Sequence, residues 1–154
     1  MTYSEQMQKL ADQYTHETGK IEVTARELAI WAITNEHWKP QPSVLVRQCA
    51  EEFSRALRED YITDPQGRRV RVKHVAIMPR GDEQVPIWAD MRLTTRTHME
   101  TAFQQRRQSI VGDCKQLKND VDSYNENFNS ADAIQIVFDF TEDLEDAESL
   151  AGIA

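Results

Sequence analysis

The chain has 154 residues, of which 40% are hydrophobic and 29% charged, and its net charge is −8. That is the size of one ordinary globular domain, able to bury a core without staples and too apolar to be read as disordered. No apolar run approaches the roughly 20 residues that span a bilayer, so no membrane association is expected.

The N-terminal stretch MTYSEQMQKL lacks the basic and apolar regions of an export signal, and the expected compartment is the cytoplasm. Cys49 and Cys114, both within apolar helical patterns, read as small buried hydrophobes in a reducing environment. Charge is unevenly spread. Residues 1–38 hold three Lys/Arg against six Asp/Glu, residues 39–118 fifteen against ten, and residues 119–154 none against ten. A basic middle beside an acidic end matters more than the total, because local field steers a polyanion.

In chain order, Met7, Leu10, Ala11 and Tyr14 recur at three and four and predict a first helix over 3–17, ended by Gly19. Ile21-Glu22-Val23 is a candidate short strand. Thr24-Ala25-Arg26-Glu27 is a capping box, and the run Leu28–Ile33 behind it predicts a second helix, central to the core and ending near Asn35-Glu36. Trp38-Lys39-Pro40-Gln41-Pro42 cannot continue it. Ser43 is then expected to cap a third helix, 43–60, with Leu45, Cys49, Phe53, Ala56 and Leu57 inward and Arg47, Glu51, Ser54, Arg55 and Arg58 outward.

Asp64-Pro65-Gln66-Gly67 is a strong turn signal. With the alternation of Arg68-Arg69-Val70-Arg71-Val72-Lys73 it predicts a β-hairpin over 61–77 with a basic outer surface. A turn at 79–82 and a third strand at 85–88 follow, Pro86 placing that strand at an edge. From Thr95 to Phe128 the chain reads as one helix of roughly 50 Å. Phe103, Ile110, Cys114, Leu117, Val121, Tyr124 and Phe128 lie on one heptad-spaced seam that Arg107 interrupts, and Gly112 is a possible break. A helix that long must project, break or pair, which predicts a homodimer through the seam. Ala133–Phe140 is strand-like, and Glu142–Ala154 is acidic and expected to be disordered.

The order helix, short extended piece, helix, turn, helix, hairpin over 3–77 resembles the winged helix-turn-helix. The resemblance rests on the Thr24 capping box, the proline-bounded turn before Ser43 and the DPQG hairpin after the third helix. It implies a winged-helix domain at 1–92; with the long dimerisation helix at 93–129 and the strand-like segment and acidic tail at 130–154 read from the residues themselves, the expected fold is mainly α, α+β. It also implies that helix 43–60 lies in the major groove of duplex DNA, with Arg47 and Gln48 nearest base edges and Arg55 on the same face. The hairpin would be the wing, with Arg68, Arg69, Arg71 and Lys73 on phosphates. Lys39, Gln41 and Ser43 would stand where a helix N-terminus meets the backbone. Glu51, Glu52, Glu59 and Asp60 depart from this pattern by setting acid on or beside the recognition helix.

Other readings of the same residues stand beside this one. Arg47, Glu51 and Arg55 are spaced for an ion-pair ladder, and basic residues on edge strands also block aggregation. The acidic tail could occupy the basic patch, and 133–140 could dock as a strand on a protein partner. No HxxxH or CxxC spacing supports zinc, and no phosphate-binding glycine loop or serine elbow is present. Arg92 before His98, and Arg68 and Arg69 before His74, resemble the Arg–His pairs of small helical ribonucleases. The leading expectation is a non-enzymatic DNA-binding regulator or accessory factor without metal or cofactor. A protein-interaction module ranks second and a ribonuclease using Arg92 and His98 third.

Overall fold

Helix α1 (Tyr3–Thr18) starts and stops on local chemistry. Thr2 Oγ1 accepts from the Glu5 N–H while the Glu5 carboxylate accepts from the Thr2 N–H, a capping box the sequence analysis passed over. Gly19 ends the helix at φ 73°, its N–H donating to the Thr15 carbonyl at 2.8 Å. Helix α2 (Ala25–Thr34) begins on the expected Thr24/Glu27 capping box. The computed structural model describes residues 1–153. The chain divides into two compact units, Met1–Arg55 and Ala56–Ala154, and Ala154 lies outside the described residues.

Within the first unit, α1 packs on α2, with Tyr14 and Ala32 buried. The Tyr14 and Trp31 rings meet edge-on at 5.5 Å, and Trp38 Nε1 donates to the Tyr3 hydroxyl at 2.8 Å. Several expectations are corrected here. Ile21–Val23 forms no strand, and Ile21 is exposed. Helix α2 is not central to a core: it packs on α1, and Ile30 and Ile33 stay exposed. Helix α3 (Pro42–Arg58) begins one residue before Ser43, which therefore sits in the first turn rather than capping it. Proline suits that first position, where its missing N–H would have no helical partner. The face expected inward is mostly open, with Leu45, Cys49 and Phe53 exposed, Phe53 at 65%, and Leu57 half-buried.

In the second unit, β1 (Tyr61–Thr63) pairs antiparallel with β2 (Arg69–Arg71), in the register Tyr61↔Arg71 and Thr63↔Arg69. The turn is the expected one, Asp64 accepting from the Gly67 N–H and Gly67 at φ 87°. The hairpin does not run on to 77. The chain bends at Val72, which is fully buried; its N–H donates to the Asp60 carbonyl and its carbonyl accepts from the Met91 N–H, each at 2.9 Å. Beyond it, β3 (Lys73–Arg80) pairs instead with β4 (Glu83–Asp90), the expected third strand made longer. Pro79 and Arg80 belong to β3, and the turn falls at Gly81-Asp82.

Helix α4 (Arg96–Asn127) runs 32 residues without a break, about 48 Å at 1.5 Å per residue, capped by the Thr95 side chain on the His98 N–H. It lies on β3, burying His98 and Ala102 against the buried side chains of His74 and Ala76. Its Gln105 amide completes the strand edge: Oε1 accepts from the Ile77 N–H at 2.7 Å and Nε2 donates to the Ile77 carbonyl at 2.9 Å.

After α4 the chain turns back along it. Asn125 bonds both the N–H and the carbonyl of Ile134, at 2.9 and 2.8 Å, and Asn129 holds Ala131 and Asp132. Residues 133–140 form no regular element and pair with no strand, contrary to the strand reading. The acidic end is not disordered: α5 (Thr141–Ile153) is helical, with Glu142 and Asp143 in its first turn, where the helix dipole favours them. Among the described residues no helix is long and apolar enough to cross a membrane.

Gly112 sits inside α4 with nothing within 4 Å of an added Cβ. Gly112→Ala is expected to stabilise the chain by about 0.5–1 kcal/mol through helix propensity and a less flexible unfolded state. A rise in the urea midpoint checks this.

Candidate nucleic-acid interface

The register of β1 and β2 puts Tyr61, Thr63, Arg69 and Arg71 on one face, since side chains two apart along a strand share a side. The Arg69 guanidinium lies 4.7 Å over the Tyr61 ring, and Arg71 Nε donates to the Tyr61 hydroxyl at 3.3 Å. One tyrosine thus orients two arginines through its π-face and its oxygen, without cancelling their charge. Arg58 is placed similarly, 5.6 Å from the Trp88 ring centroid. Arg106 of α4 completes the group. A concave surface of about 320 Å³ is lined by Arg58, Arg71, Trp88, Gln105, Arg106 and Ser109. A neighbouring one of about 540 Å³ is lined by Tyr61, Arg68, Arg69, Arg71, Phe103 and Arg106. Arg71 and Arg106 border both.

The other cations expected on the wing are differently placed. Arg68 Nε bonds Asp64 at 2.8 Å, and Lys73 lies 3.4 Å from Asp60 and 3.3 Å from Asp90. Both are neutralised within their own chain. Among the described residues no carboxylate lies within 4.0 Å of Arg58, Arg69, Arg71 or Arg106. Among the described residues the free positive charge of the β1–β2 hairpin is therefore narrower than the sequence implied, and it extends onto α4. Arg58, Arg106, Tyr61 and Trp88 were missed as site residues. For Arg106 the available signal was its place on the α4 stripe with Ala102, Gln105 and Ser109.

Lys39, Gln41, Ser43, Arg47, Gln48 and Arg55 all stand exposed in the first unit. The ion-pair ladder read for Arg47, Glu51 and Arg55 is not formed among the described residues. Along the α4 seam Ile110, Leu117, Tyr124 and Phe128 are exposed, while Cys114 and Val121 are half-buried. Val121 lies beside the returning segment Ile134–Phe138. Phe103 meets the His74 ring edge-on at 5.3 Å. Neither cysteine is a buried hydrophobe: Cys49 is exposed, Cys114 half-buried, and both are free thiols.

The Arg92/His98 pair does not converge. Arg92 forks onto Asp90, Nε at 3.0 Å and Nη2 at 2.8 Å. His98 is buried, and its Nε2 lies 3.0 Å from the His74 carbonyl. A carbonyl only accepts, so that nitrogen carries the proton and is spent on it. His74 likewise donates from Nε2 to the Arg71 carbonyl at 2.8 Å. Both imidazoles tie α4 and the strands together.

Comparison with protein-family models, with curated proteins and with solved structures finds no match to this chain.

The two carboxylates that hold these cations are themselves stabilised as anions. Asp64 is held below the usual carboxylate range, first by the Arg68 N–H and then by its guanidinium. Asp90 is held well below it by the Arg92 side chain and N–H. A carboxylate whose pKa is depressed on folding adds stability above its unfolded value, near 4, and loses it as pH falls toward the folded one. Asp90→Asn is therefore expected to lower the urea midpoint at pH 7, with the gap to the parent chain narrowing as pH drops from about 4 to about 2. A gap independent of pH would contradict the assignment.

Proposed function

We propose that this chain is a non-enzymatic nucleic-acid-binding protein of winged-helix type, a transcriptional regulator or accessory factor. It would engage duplex DNA through the exposed face of α3 and the arginine surface of β1, β2 and α4, as a homodimer joined along α4. The observation that carries the reading is the set of four arginines, Arg58, Arg69, Arg71 and Arg106, without carboxylate partners among the described residues, around two neighbouring concavities that share Arg71 and Arg106. Arg58, Arg69 and Arg71 are set against aromatic side chains, and unneutralised guanidinium groups suit phosphate oxygens, which they can meet with two parallel N–H donors. The helix–helix–helix–hairpin order supports the same reading from the side of architecture.

A second reading, a protein-docking module, is favoured by a different feature. The first unit carries an apolar groove of about 560 Å³ between α1 and α2, lined by Tyr3, Met7, Leu10, Leu28, Trp31 and Trp38. Such a groove suits an apolar side chain better than a phosphate.

Fluorescence anisotropy of a mixed-sequence duplex separates the two. Binding at low salt is expected to weaken as salt rises, with a log–log slope near −0.9 per neutralised phosphate. Arg69→Ala, Arg71→Ala and Arg106→Ala should each flatten the slope by about 0.9 and cost roughly tenfold in affinity. Arg68→Ala and Lys73→Ala should change both much less, because Asp64, Asp60 and Asp90 already hold those charges. No detectable binding at low salt, or equal losses in all five variants, contradicts the proposal.

A further inference from the structure

The long helix presents three distinct sides. His98, Ala102 and Gln105 face the sheet, and Asn125 and Asn129 hold the returning segment. At 100° per residue the seam of Ile110, Cys114, Leu117, Val121 and Tyr124 lies about 110° from the sheet side and about 60° from Asn125, which holds the returning segment. Most of it is open, with Ile110 52% exposed, Leu117 45% and Tyr124 46%; Cys114 and Val121 are half-buried, Val121 beside the returning segment.

We propose that a second copy of this chain packs antiparallel along this seam. The proposal rests on the homodimer reading above and is independent of what the arginine surface binds. The spacing of the seam reads the same in both directions. A twofold axis between Lys115 and Gln116 sets Ile110 opposite Val121, Cys114 opposite Leu117, and Arg107 opposite Tyr124 of the second copy. Apolar knobs thereby meet apolar positions in every layer but the two symmetry-related ones that pair Arg107 with Tyr124. In those, each Arg107 gains a tyrosine ring, a favourable cation–π arrangement. A parallel pair would instead set Arg107 against Arg107 in the middle of an apolar seam, where desolvated like charges repel.

Charge along the chain selects the same orientation. Residues 96–118 hold five Lys/Arg against two Asp/Glu, whereas residues 119–154 hold ten Asp/Glu and no Lys/Arg. Parallel copies would bring the two acidic ends side by side. Antiparallel copies bring each acidic end to the other's basic half, and the returning segment with its exposed Ile136 and Val137 alongside. The orientation also brings Asp113 near Asp120 of the second copy. Both are exposed, where like charges in water repel weakly.

The test uses the full chain with Cys49→Ser and Cys114→Ser as background, carrying either Ile110→Cys or Val121→Cys. Light scattering and circular dichroism first establish mass and fold. The two variants are then mixed, equilibrated and oxidised. The expected result is a disulfide-linked dimer holding one copy of each, with little crosslinking of either variant alone. In the antiparallel pair, like positions are 11 residues apart along the helix, about 16 Å, beyond disulfide reach. Crosslinking of each variant with itself overturns the antiparallel orientation while leaving the homodimer intact. A dimer that gives no mixed crosslink overturns the seam. A monomeric mass at 100 μM overturns the homodimer reading as well, and the duplex titration stands or falls separately.

Discussion

The second unit depends on one helix supplying what a small sheet lacks. Two strands alone are marginal in water, and both of their edges are open. Helix α4 answers both problems at β3. It buries Ala102 and His98 on the sheet face, and it completes the strand edge with the Gln105 amide, whose oxygen and nitrogen pair with Ile77 as a neighbouring strand would. The His98 imidazole adds a bond to the His74 carbonyl. The same device recurs further along the helix, where Asn125 pairs with both backbone groups of Ile134. Each amide satisfies two backbone groups at a cost of one ordered side chain.

The position of the arginines follows from this docking. Val72 bends the chain so that β2 and β3 belong to different hairpins, yet its own N–H and carbonyl bond to the residues flanking both. Arg69 and Arg71 lie just before that bend and Arg106 just after Gln105, so fixing Gln105 on Ile77 sets the helix arginine beside the strand arginines. Neighbouring cations were withdrawn by a local rule: wherever a carboxylate sits at a turn or strand end, as Asp64 and Asp90 do, it captures the adjacent cation and keeps it. A net charge of −8 is thus compatible with a locally positive surface.

What was legible in the sequence was what short-range chemistry dictates. The Thr24 capping box, the DPQG turn and the helical periodicity of α4 each involve residues a few positions apart, and each appears where expected. What was not legible depends on which surfaces meet. The runs Leu28–Ile33 and Leu45–Leu57 have core composition, yet Ile30, Ile33, Leu45 and Phe53 stand in solvent. Periodicity reveals which face is apolar and not what covers it. The acidic end has the composition of a disordered tail but the propensity of a helix: Glu, Leu and Ala are good helix formers, and acids at a helix start are favourable. Lys73 was assigned to the wing because alternation continues through Val72; alternation cannot reveal a change of partner strand.

The account turns on which guanidinium groups are free. Arginine Nε–Hε signals, followed by NMR as duplex DNA is added, report this side chain by side chain. Arg69, Arg71 and Arg106 are predicted to shift and slow in exchange with water, while Arg68 and Arg92, held by Asp64 and Asp90, stay in place. Movement confined to Arg68 and Arg92, or no movement of any arginine in the second unit, would contradict it.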